Sequence, residues 1–289
     1  MEICVISGKG GTGKTTVAVN LVLSCEKGMF LDCDVEEPDG RIFLLPRIER
    51  IDSSFISVPV IDEKKCNFCG KCAEVCIFNA IAVVKKKILF FERLCRGCSA
   101  CWLVCPEGAV SEGKKETGVI KSGEVKNLRF LEGSLNPGEE TGHSIVYNMR
   151  NMIDENDTVI IDGPPGLSPV LLEAVDKTDY AIIVTEPTPF GFHDLCLTVE
   201  LLDNLKVPYG VIINKDNGNS SIEEYCQKKS IPLLLKIPFD MEIAELYSRG
   251  IPFSMELPGW HDKFKNVLTY IMKYHWRKKD STSVKWPYS

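Results

Sequence analysis

Eight of the thirteen cysteines in this 289-residue chain fall into two runs of one spacing, Cys-x-x-Cys-x-x-Cys-x-x-x-Cys, which begin 29 residues apart at Cys66 and Cys95. Thiolates at this spacing hold a cubane [4Fe–4S] cluster, and where two such clusters occur together the fourth cysteine of each run ligates the other cluster. The sequence therefore predicts two [4Fe–4S] clusters. Their ligands are Cys66, Cys69, Cys72 and Cys105 for the first cluster and Cys76, Cys95, Cys98 and Cys101 for the second.

Zinc and disulfides are the alternatives for so many cysteines. Paired Cys-x-x-Cys also builds zinc sites, but a third and a fourth cysteine at these intervals, all repeated once, fit zinc poorly. The total is odd and the spacings are tight, which disfavours disulfides. Residues 62–126 carry twelve Lys and Arg against eight Asp and Glu, a formal charge of +4 in a chain of net charge −6. This local basic excess suits a small domain that holds two anionic clusters.

A second motif occupies residues 8–16, where Gly-Lys-Gly-Gly-Thr-Gly-Lys-Thr-Thr lies between an apolar strand and an apolar-rich helix. Glycines let backbone N–H groups curl around phosphate oxygens, and the helix N-terminus adds a favourable dipole. In such a loop Lys14 reaches the β- and γ-phosphates, Thr15 ligates Mg²⁺ and Thr16 bonds the α-phosphate. The predicted nucleotide-binding residues here are Gly8, Lys9, Gly10, Gly11, Thr12, Gly13, Lys14, Thr15 and Thr16.

The additional lysine, Lys9, makes this loop resemble the deviant Walker A motif of the MinD/ParA family. Relatives in that family include the nitrogenase iron protein and the Mrp-type ATPases. The early lysine of the family reaches across a dimer to the partner's phosphates. The resemblance therefore implies a homodimer that sandwiches its nucleotides, with Lys9 and Lys14 as catalytic residues.

Two further segments resemble the family's switch regions. Asp32-Cys33-Asp34 resembles switch I, in which the second aspartate positions the attacking water and the first lies near Mg²⁺. By this resemblance Asp34 is catalytic and Asp32 belongs to the magnesium site. Asp162-Gly163-Pro164-Pro165-Gly166 resembles Walker B and switch II, which implies that Asp162 binds Mg²⁺ through water and that Gly166 lies near the γ-phosphate.

ATP is the expected nucleotide rather than GTP. Guanine recognition uses Asn-Lys-x-Asp, whereas the chain has Asn214-Lys215-Asp216, with the carboxylate one residue early. In the MinD/ParA family an asparagine at this strand end contacts adenine, which indicates Asn214. A strand-terminal turn is the alternative role for that residue. The segment that begins at Pro238 matches the family's second adenine-side loop.

Strands that alternate with helices predict an α/β fold with a mostly parallel sheet and helices on both faces. Residues 55–60 are expected to form a third strand, and residues 118–140 an irregular connection or a hairpin. The combination of motifs resembles MinD-superfamily P-loop ATPases that carry an inserted ferredoxin domain. It implies a P-loop NTPase domain made of residues 1–61 and 116–289, interrupted at 62–115 by a small bacterial-type ferredoxin (α+β) insert with two [4Fe–4S] clusters.

Composition and charge narrow the class of protein. With 44% apolar residues and no basic excess overall, we expect a globular protein that does not bind nucleic acid. No apolar run approaches the roughly 18–20 residues that span a bilayer, and the first strand leaves no room for a signal peptide, so we expect a cytoplasmic location. A helical apolar stripe from Phe264 to Trp276, followed by Arg277, Lys278 and Lys279, resembles the membrane-binding tail of MinD. Packing of this helix on the sheet is the preferred interpretation, and membrane contact is not expected.

Three functions remain open at this stage. The main hypothesis is a homodimeric ATPase that couples ATP binding and hydrolysis to electron transfer through the two clusters, because the cysteine runs lie between switch I and switch II. The second is an ATP-dependent carrier or assembly protein for iron–sulfur or related metallocofactors, as Mrp-type proteins are. The third is a MinD-like positioning ATPase. For the first two, an unidentified redox or metallocofactor partner protein is expected.

Overall fold

The computed structural model describes residues 1–154 and 158–282, with side chains described up to residue 275. Within this part of the chain, nine strands form one sheet and two form a separate hairpin. The strands are β1 Glu2–Ser7, β2 Gly28–Asp32, β3 Arg47–Ile61, β4 Ile81–Val84, β5 Lys87–Phe90, β6 Val110–Val125, β7 Leu128–Leu135, β8 Val159–Pro165, β9 Tyr180–Thr185, β10 Tyr209–Asp216 and β11 Leu233–Pro238.

Helices connect most of these strands. They are α1 Lys14–Val22, α2 Gly40–Leu44, α3 Lys71–Glu74, α4 Ala100–Leu103, α5 His143–Arg150, α6 Pro169–Val175, α7 Pro189–Leu205, α8 Ser221–Lys229, α9 Met241–Ser248, α10 Phe253–Glu256 and α11 Trp260–Thr282, with a 3₁₀ turn at Glu92–Leu94.

The sheet has the order β11-β10-β9-β1-β8-β2-β7-β6-β3. Its strands from β11 to β7 pair in parallel, and β6 and β3 extend one edge in antiparallel fashion. The predicted α/β fold with a mostly parallel sheet and flanking helices is therefore confirmed. β1, β8 and β2 are neighbouring parallel strands. The loops that follow them therefore meet at the carboxyl ends of the strands, where ligands of open α/β sheets bind.

Burial of both faces explains why the central strands are apolar throughout. Along β1, Ile3 and Val5 pack into one hydrophobic core, while Cys4 and Ile6 pack into the core on the opposite face. Side chains of a strand alternate between faces, so a strand covered on both sides must be apolar at every position. The position of β1 thus fixes where the loop after Ser7 leaves the sheet.

The antiparallel edge differs from the sequence-based expectation. The strand expected at residues 55–60 spans Arg47–Ile61, and it pairs with β6 along nearly its whole length. Residues 118–140 are a hairpin in their first part: Val125 pairs with Leu128, which leaves a two-residue turn. In β3 apolar residues such as Ile51, Phe55 and Val60 are exposed and buried positions do not alternate regularly, so apolar periodicity underestimates its length. The β3–β6 ladder carries residues 62–109, with all eight clustered cysteines, at its end.

The C-terminal helix packs on the sheet. Phe264, Val267, Leu268 and Ile271 of α11 are buried in the core that also contains Ile3 and Val5. The stripe is thus occupied by intramolecular packing, as the sequence favoured. The side chains of Trp276, Arg277, Lys278 and Lys279 lie outside the described residues. In the part of the chain that the structure describes, no helix has the length and apolar character needed to cross a membrane.

We predict that Phe264→Ala destabilises the protein by about 3–5 kcal/mol, because it leaves a cavity beside Phe253 and Trp260, whose rings surround the fully buried Phe264. Thermal and urea unfolding would measure the loss. Tyr270→Ala, on the exposed side of the same helix, is the matched control and should change stability by less than about 1 kcal/mol. Equal effects of the two substitutions would contradict the packing described for α11.

Candidate nucleotide site and cysteine quartets

The glycine-rich loop leaves β1 at Ser7 and enters α1 at Lys14. Gly11 and Gly13 have φ values of +76° and +90°, in the left-handed region that glycine tolerates and other residues rarely adopt. A Cβ on Gly13 would lie 2.1 Å from Nδ2 of Asn214, so this position also requires glycine for space. The loop N–H groups and the α1 N-terminus together form a cradle suited to phosphate.

Lys14 is almost completely buried and faces two carboxylates. Its Nζ lies 3.2 Å from Oδ2 of Asp34 and 3.4 Å from Oδ1 of Asp162. Burial would lower the pKa of Lys14, but the charges of Asp162 and Asp34 outweigh burial and raise it. The lysine is therefore a fixed positive charge between the ends of β2 and β8.

Three carboxylates meet beneath the loop. Oxygens of Asp32, Asp39 and Asp162 all lie within 4.8 Å of one another, and Asp32 also accepts a hydrogen bond from the Gly40 N–H at 2.9 Å. Burial raises the pKa of Asp32, and the neighbouring charge of Asp162 raises it further. Burial likewise raises the pKa of Asp162 to about 6, against the lowering effects of Lys14 and the Thr15 hydroxyl.

The arrangement fits Mg²⁺. Hard cations prefer carboxylate and hydroxyl oxygens, and Oδ2 of Asp162 is buried without a hydrogen-bond partner among the described residues. Burial raises the pKa of Asp39 as well, while the Thr15 hydroxyl lowers it through a hydrogen bond. Asp39 is thus a candidate Mg²⁺ ligand together with Thr15, Asp32 and Asp162. Sequence reasoning missed Asp39, although a carboxylate five residues after Asp34 was the available signal.

Lys9 contacts a carboxylate of its own chain. Its Nζ lies 2.5 Å from Oε1 of Glu186, and Lys215 binds the other oxygen of Glu186 at 3.3 Å and the Gly11 carbonyl at 2.9 Å. Burial would raise the pKa of Glu186, but the two lysines outweigh burial and hold the pKa below its usual value. Glu186 and Lys215 were not predicted as site residues, because only the fold brings the ends of β9 and β10 beside the loop.

The remaining predicted nucleotide contacts differ in their surroundings. Asn214 is buried, and its Nδ2 donates to the Thr12 carbonyl at 2.8 Å, so it supports the loop from the end of β10. Pro238 is exposed at the end of β11, where it pairs with Asp216. The Gly166 N–H donates to the Ser7 carbonyl at 3.2 Å, which joins the segment after β8 to the start of the loop.

The remaining loop positions have distinct environments. Gly8 packs against Asp194 of α7 so closely that a Cβ would lie 2.4 Å from the Cβ of Asp194. Around Gly10, by contrast, a Cβ would meet nothing within 4 Å. Thr16 lies in the first turn of α1, and its carbonyl accepts a hydrogen bond from Asn20 of the same helix.

The clustered cysteines gather in two groups at the end of the β3–β6 ladder. One group lines a space of about 320 Å³ and comprises Cys66, Cys69, Cys72 and Cys105. The other lines a space of about 350 Å³ and comprises Cys76, Cys95, Cys98 and Cys101. Each group therefore combines three cysteines of one run with the fourth cysteine of the other.

Backbone amides point at several of these sulfurs. The N–H groups of Ala80 and Ala109 lie 3.3 Å from Sγ of Cys76 and Cys105, at equivalent positions of the two runs. Burial would raise the pKa of Cys105, but hydrogen bonds from Ala109 and neighbouring amides outweigh it and lower the pKa. Burial raises the pKa of Cys101 to about 11. Amide donors stabilise thiolate sulfur, the form that binds iron.

Fold and site together define a P-loop nucleotide-binding protein of the α/β class. The model of the CobQ/CobB/MinD/ParA nucleotide binding domain matches residues 3–253, so the chain belongs to this family. The match supports an ATPase.

Individual relatives agree with this assignment. The chain is 32% identical over 266 residues to an uncharacterized protein of Methanocaldococcus jannaschii, covering 88% of this chain and 91% of the relative. It is 28% identical over 279 residues to the iron-sulfur cluster carrier protein of Pyrococcus horikoshii, covering 87% and 78%. It is similar in fold to the septum site-determining protein MinD with Mg-ADP from P. horikoshii, at a TM-score of 0.58 and 20% identity, covering 94% and 96%.

We predict that Gly13→Ala weakens ATP binding by at least about tenfold, because a side chain at positive φ strains the backbone and the added methyl displaces Asn214. Titration with a fluorescent ATP analogue would measure the affinity, and thermal melting would verify folding. Gly259→Ala is the matched control outside the loop, since Gly259 also has a positive φ, +78°, and a Cβ there would meet nothing within 4 Å. A Gly13→Ala protein with unchanged affinity would show that this geometry is not required.

Proposed function

We propose that this protein is an ATP-dependent iron–sulfur protein that carries or assembles clusters and holds two [4Fe–4S] clusters of its own. The observation that carries the proposal is the convergence of eight cysteines into two quartets with exchanged fourth members, on an insertion between β2 and β8 of an ATPase fold. The name of the P. horikoshii relative, an iron-sulfur cluster carrier protein, supports the same conclusion.

The cysteine quartets suit cubane clusters better than other metals. Thiolate quartets with these spacings are the ligand sets of [4Fe–4S] centres. Only one cysteine of each quartet, Cys69 or Cys98, is exposed, and Cys72 and Cys101 are buried. In this proposal residues 62–115 form a ferredoxin-type domain, and residues 1–61 and 116–289 form the ATPase domain.

In the nucleotide site, each residue has a role that follows from phosphoryl-transfer chemistry, which depends on positioning and charge neutralisation. The loop amides and Lys14 bind the phosphates. Thr15, Asp32, Asp39 and Asp162 would hold Mg²⁺, which supplies charge neutralisation at the phosphates when bound. Asp34, which is half-buried beside Lys14, orients the attacking water.

Lys9 gives the proposal a dimeric form. Its contact with Glu186 leaves the side chain one-third exposed at the edge of the phosphate loop. In a nucleotide sandwich, Lys9 would exchange Glu186 for the phosphates bound by a second copy. Asn214 holds the loop from below, and Pro238 borders the adenine side. We propose that ATP binding drives this homodimerisation.

Gated electron delivery is the second candidate function. It is favoured by the enclosure of the quartets, because buried ligands such as Cys72 and Cys101 retain a cluster more readily than they release it. In this alternative, ATP binding changes the reduction potential of retained clusters, and an unidentified redox protein accepts the electrons.

One experiment separates these two functions. Anaerobically purified protein with iron-55-labelled clusters is mixed with an apo-enzyme that needs a [4Fe–4S] cluster, with and without ATP. Transfer that requires ATP, and that Lys14→Ala abolishes, is expected for a carrier. Retained label together with an ATP-dependent change in reduction potential would instead establish electron delivery. If ATP causes neither cluster transfer nor a change in potential, both functions are overturned.

A second prediction concerns the exchanged cysteines. The protein should contain about eight irons, and Cys105→Ser should remove the same EPR signal as Cys66→Ser because both belong to the first quartet. Cys76→Ser should remove the other signal. Cys226→Ser, at a buried cysteine outside the quartets, is the control and should leave both signals intact. Loss of the same signal in Cys105→Ser and in Cys101→Ser would contradict the pairing, because these cysteines belong to different quartets.

A further inference from the structure

The nucleotide site and the second cysteine quartet face each other across a groove. Asp34 and Pro164 of the nucleotide site line the same groove as Cys95 and Arg96 at the second quartet. Between them runs the connection from β7 to α5, residues 136–142, which we call the bridging segment. Glu139 and Glu140 of this segment also line the groove.

The bridging segment is attached at both ends to the residue that follows Asp34. At its start, the Leu135 N–H donates to the Val35 carbonyl at 2.8 Å. At its end, Gly142 packs so tightly on Val35 that a Cβ would lie 2.0 Å from Cγ2 of the valine. Because Val35 bonds the residue before the segment and leaves no space for a side chain at its last residue, a displacement of Val35 is expected to move the segment with it.

The middle of the bridging segment is attached to the cysteine insert. Oε2 of Glu139 lies 2.9 Å from Nζ of Lys115 on β6, and both side chains are largely buried, at 19% and 11% exposure. Glu140 binds Arg96, the residue after Cys95, at 2.5 Å. Two ion pairs thus join the segment to the surroundings of the second quartet.

The loop that holds Cys95 packs against β3, which fixes its position relative to the two ion pairs. Gly97 has a φ of +69°, and a Cβ there would lie 3.1 Å from the Ser57 carbonyl of β3. The same loop packs on Ile56, whose Cβ would lie 3.3 Å from a Cβ at Gly97, and Ile56 pairs with Lys115 across the β3–β6 ladder. Lys115 and the loop that holds Cys95 therefore flank the same residue of β3.

Lys115 is shared between two anionic partners. The carboxylate of Glu139 on the bridging segment binds it directly, and the loop that holds Cys95 lies beside it, so a cluster in the second quartet would be the other anionic group in its neighbourhood. A cluster with four thiolates is anionic, and reduction adds one more negative charge, which a nearby ammonium stabilises. A shift of Glu139 changes how much of the lysine's charge acts on the cluster.

We propose that the bridging segment and Lys115 form the route by which the nucleotide at Asp34 acts on the Cys76, Cys95, Cys98 and Cys101 quartet. Lys115 is a positioning residue in this route, and the first quartet lies outside it. The inference rests on the proposed function, because it requires that nucleotide and clusters influence each other. Thermodynamic linkage makes the effect reciprocal. The factor by which ATP binding changes the equilibrium constant for reduction of the second cluster must equal the factor by which that reduction changes the affinity for ATP.

The test compares Glu139→Gln with Glu107→Gln in the full-length, cluster-loaded protein. Each substitution removes one carboxylate near one quartet, but Glu107 pairs with Asn67 beside the first quartet and does not touch the bridging segment. Two quantities are measured with ADP and with a non-hydrolysable ATP analogue: the rate of iron removal by a chelator and the affinity for the analogue before and after reduction. Iron content and EPR spectra verify that the clusters are present.

In the wild type and in Glu107→Gln, we expect a nucleotide-dependent change of at least about fivefold in both quantities. Glu139→Gln should reduce the change to less than about twofold while ATP binding and iron content persist. Lys115→Met should have the same effect. Hydrogen exchange adds a readout without cluster chemistry: the ATP analogue should alter exchange of the amides in residues 136–142.

The possible outcomes distinguish failure of the proposed function from failure of the route alone. If the wild type shows no nucleotide dependence, the coupling in the proposed function and the route both fail. If the wild type shows the dependence and both Glu139→Gln and Lys115→Met retain it, the route alone is overturned.

Discussion

The burial of Lys14 against a set of aspartates is the interaction on which the site depends. An ion in the protein interior loses its hydration, so charges at this depth persist only when they neutralise one another. Lys14, Asp34 and Asp162 satisfy this requirement in part, while Asp32 and Asp39 add further negative charge. In the proposed function, this excess of carboxylate oxygens next to the phosphate loop would be neutralised by a divalent cation.

The chain order places the cysteine insert where it can respond to this site. β2 ends at Asp32, and the chain then forms α2 and the long β3–β6 ladder at the edge of the sheet before it forms β7 beside β2. Because β7 pairs in parallel with β2, Glu132 lies opposite Asp32. Glu132 is fully buried and binds Lys121 of β6 at 2.6 Å. The insert is thus anchored to β7, the strand beside the one that supplies Asp32.

Local sequence patterns predicted the features that local chemistry determines. The loop at residues 8–16 and the two cysteine runs require particular residue types at fixed spacing, so each can be recognised without a fold. Glu186 and Lys115 could not be recognised in this way, because each acquires its role from a neighbour distant along the chain. Glu139 contacts Lys115 only after β6 and β7 have paired and the segment after β7 has folded back onto Val35. The length of β3 was underestimated for a related reason: its stability comes from a partner strand.

The exchange of the fourth cysteine between the two runs has a consequence for maturation. Neither half of the insert supplies a complete set of four thiols. Cys105 must join the half that begins at Cys66, and Cys76 must join the half that begins at Cys95. Iron delivered before both halves have been synthesised and folded together meets only three thiols. Neither proposed centre is therefore expected to be completed before both halves of the insert have been synthesised and have folded together, whereas afterwards each can be filled without the other.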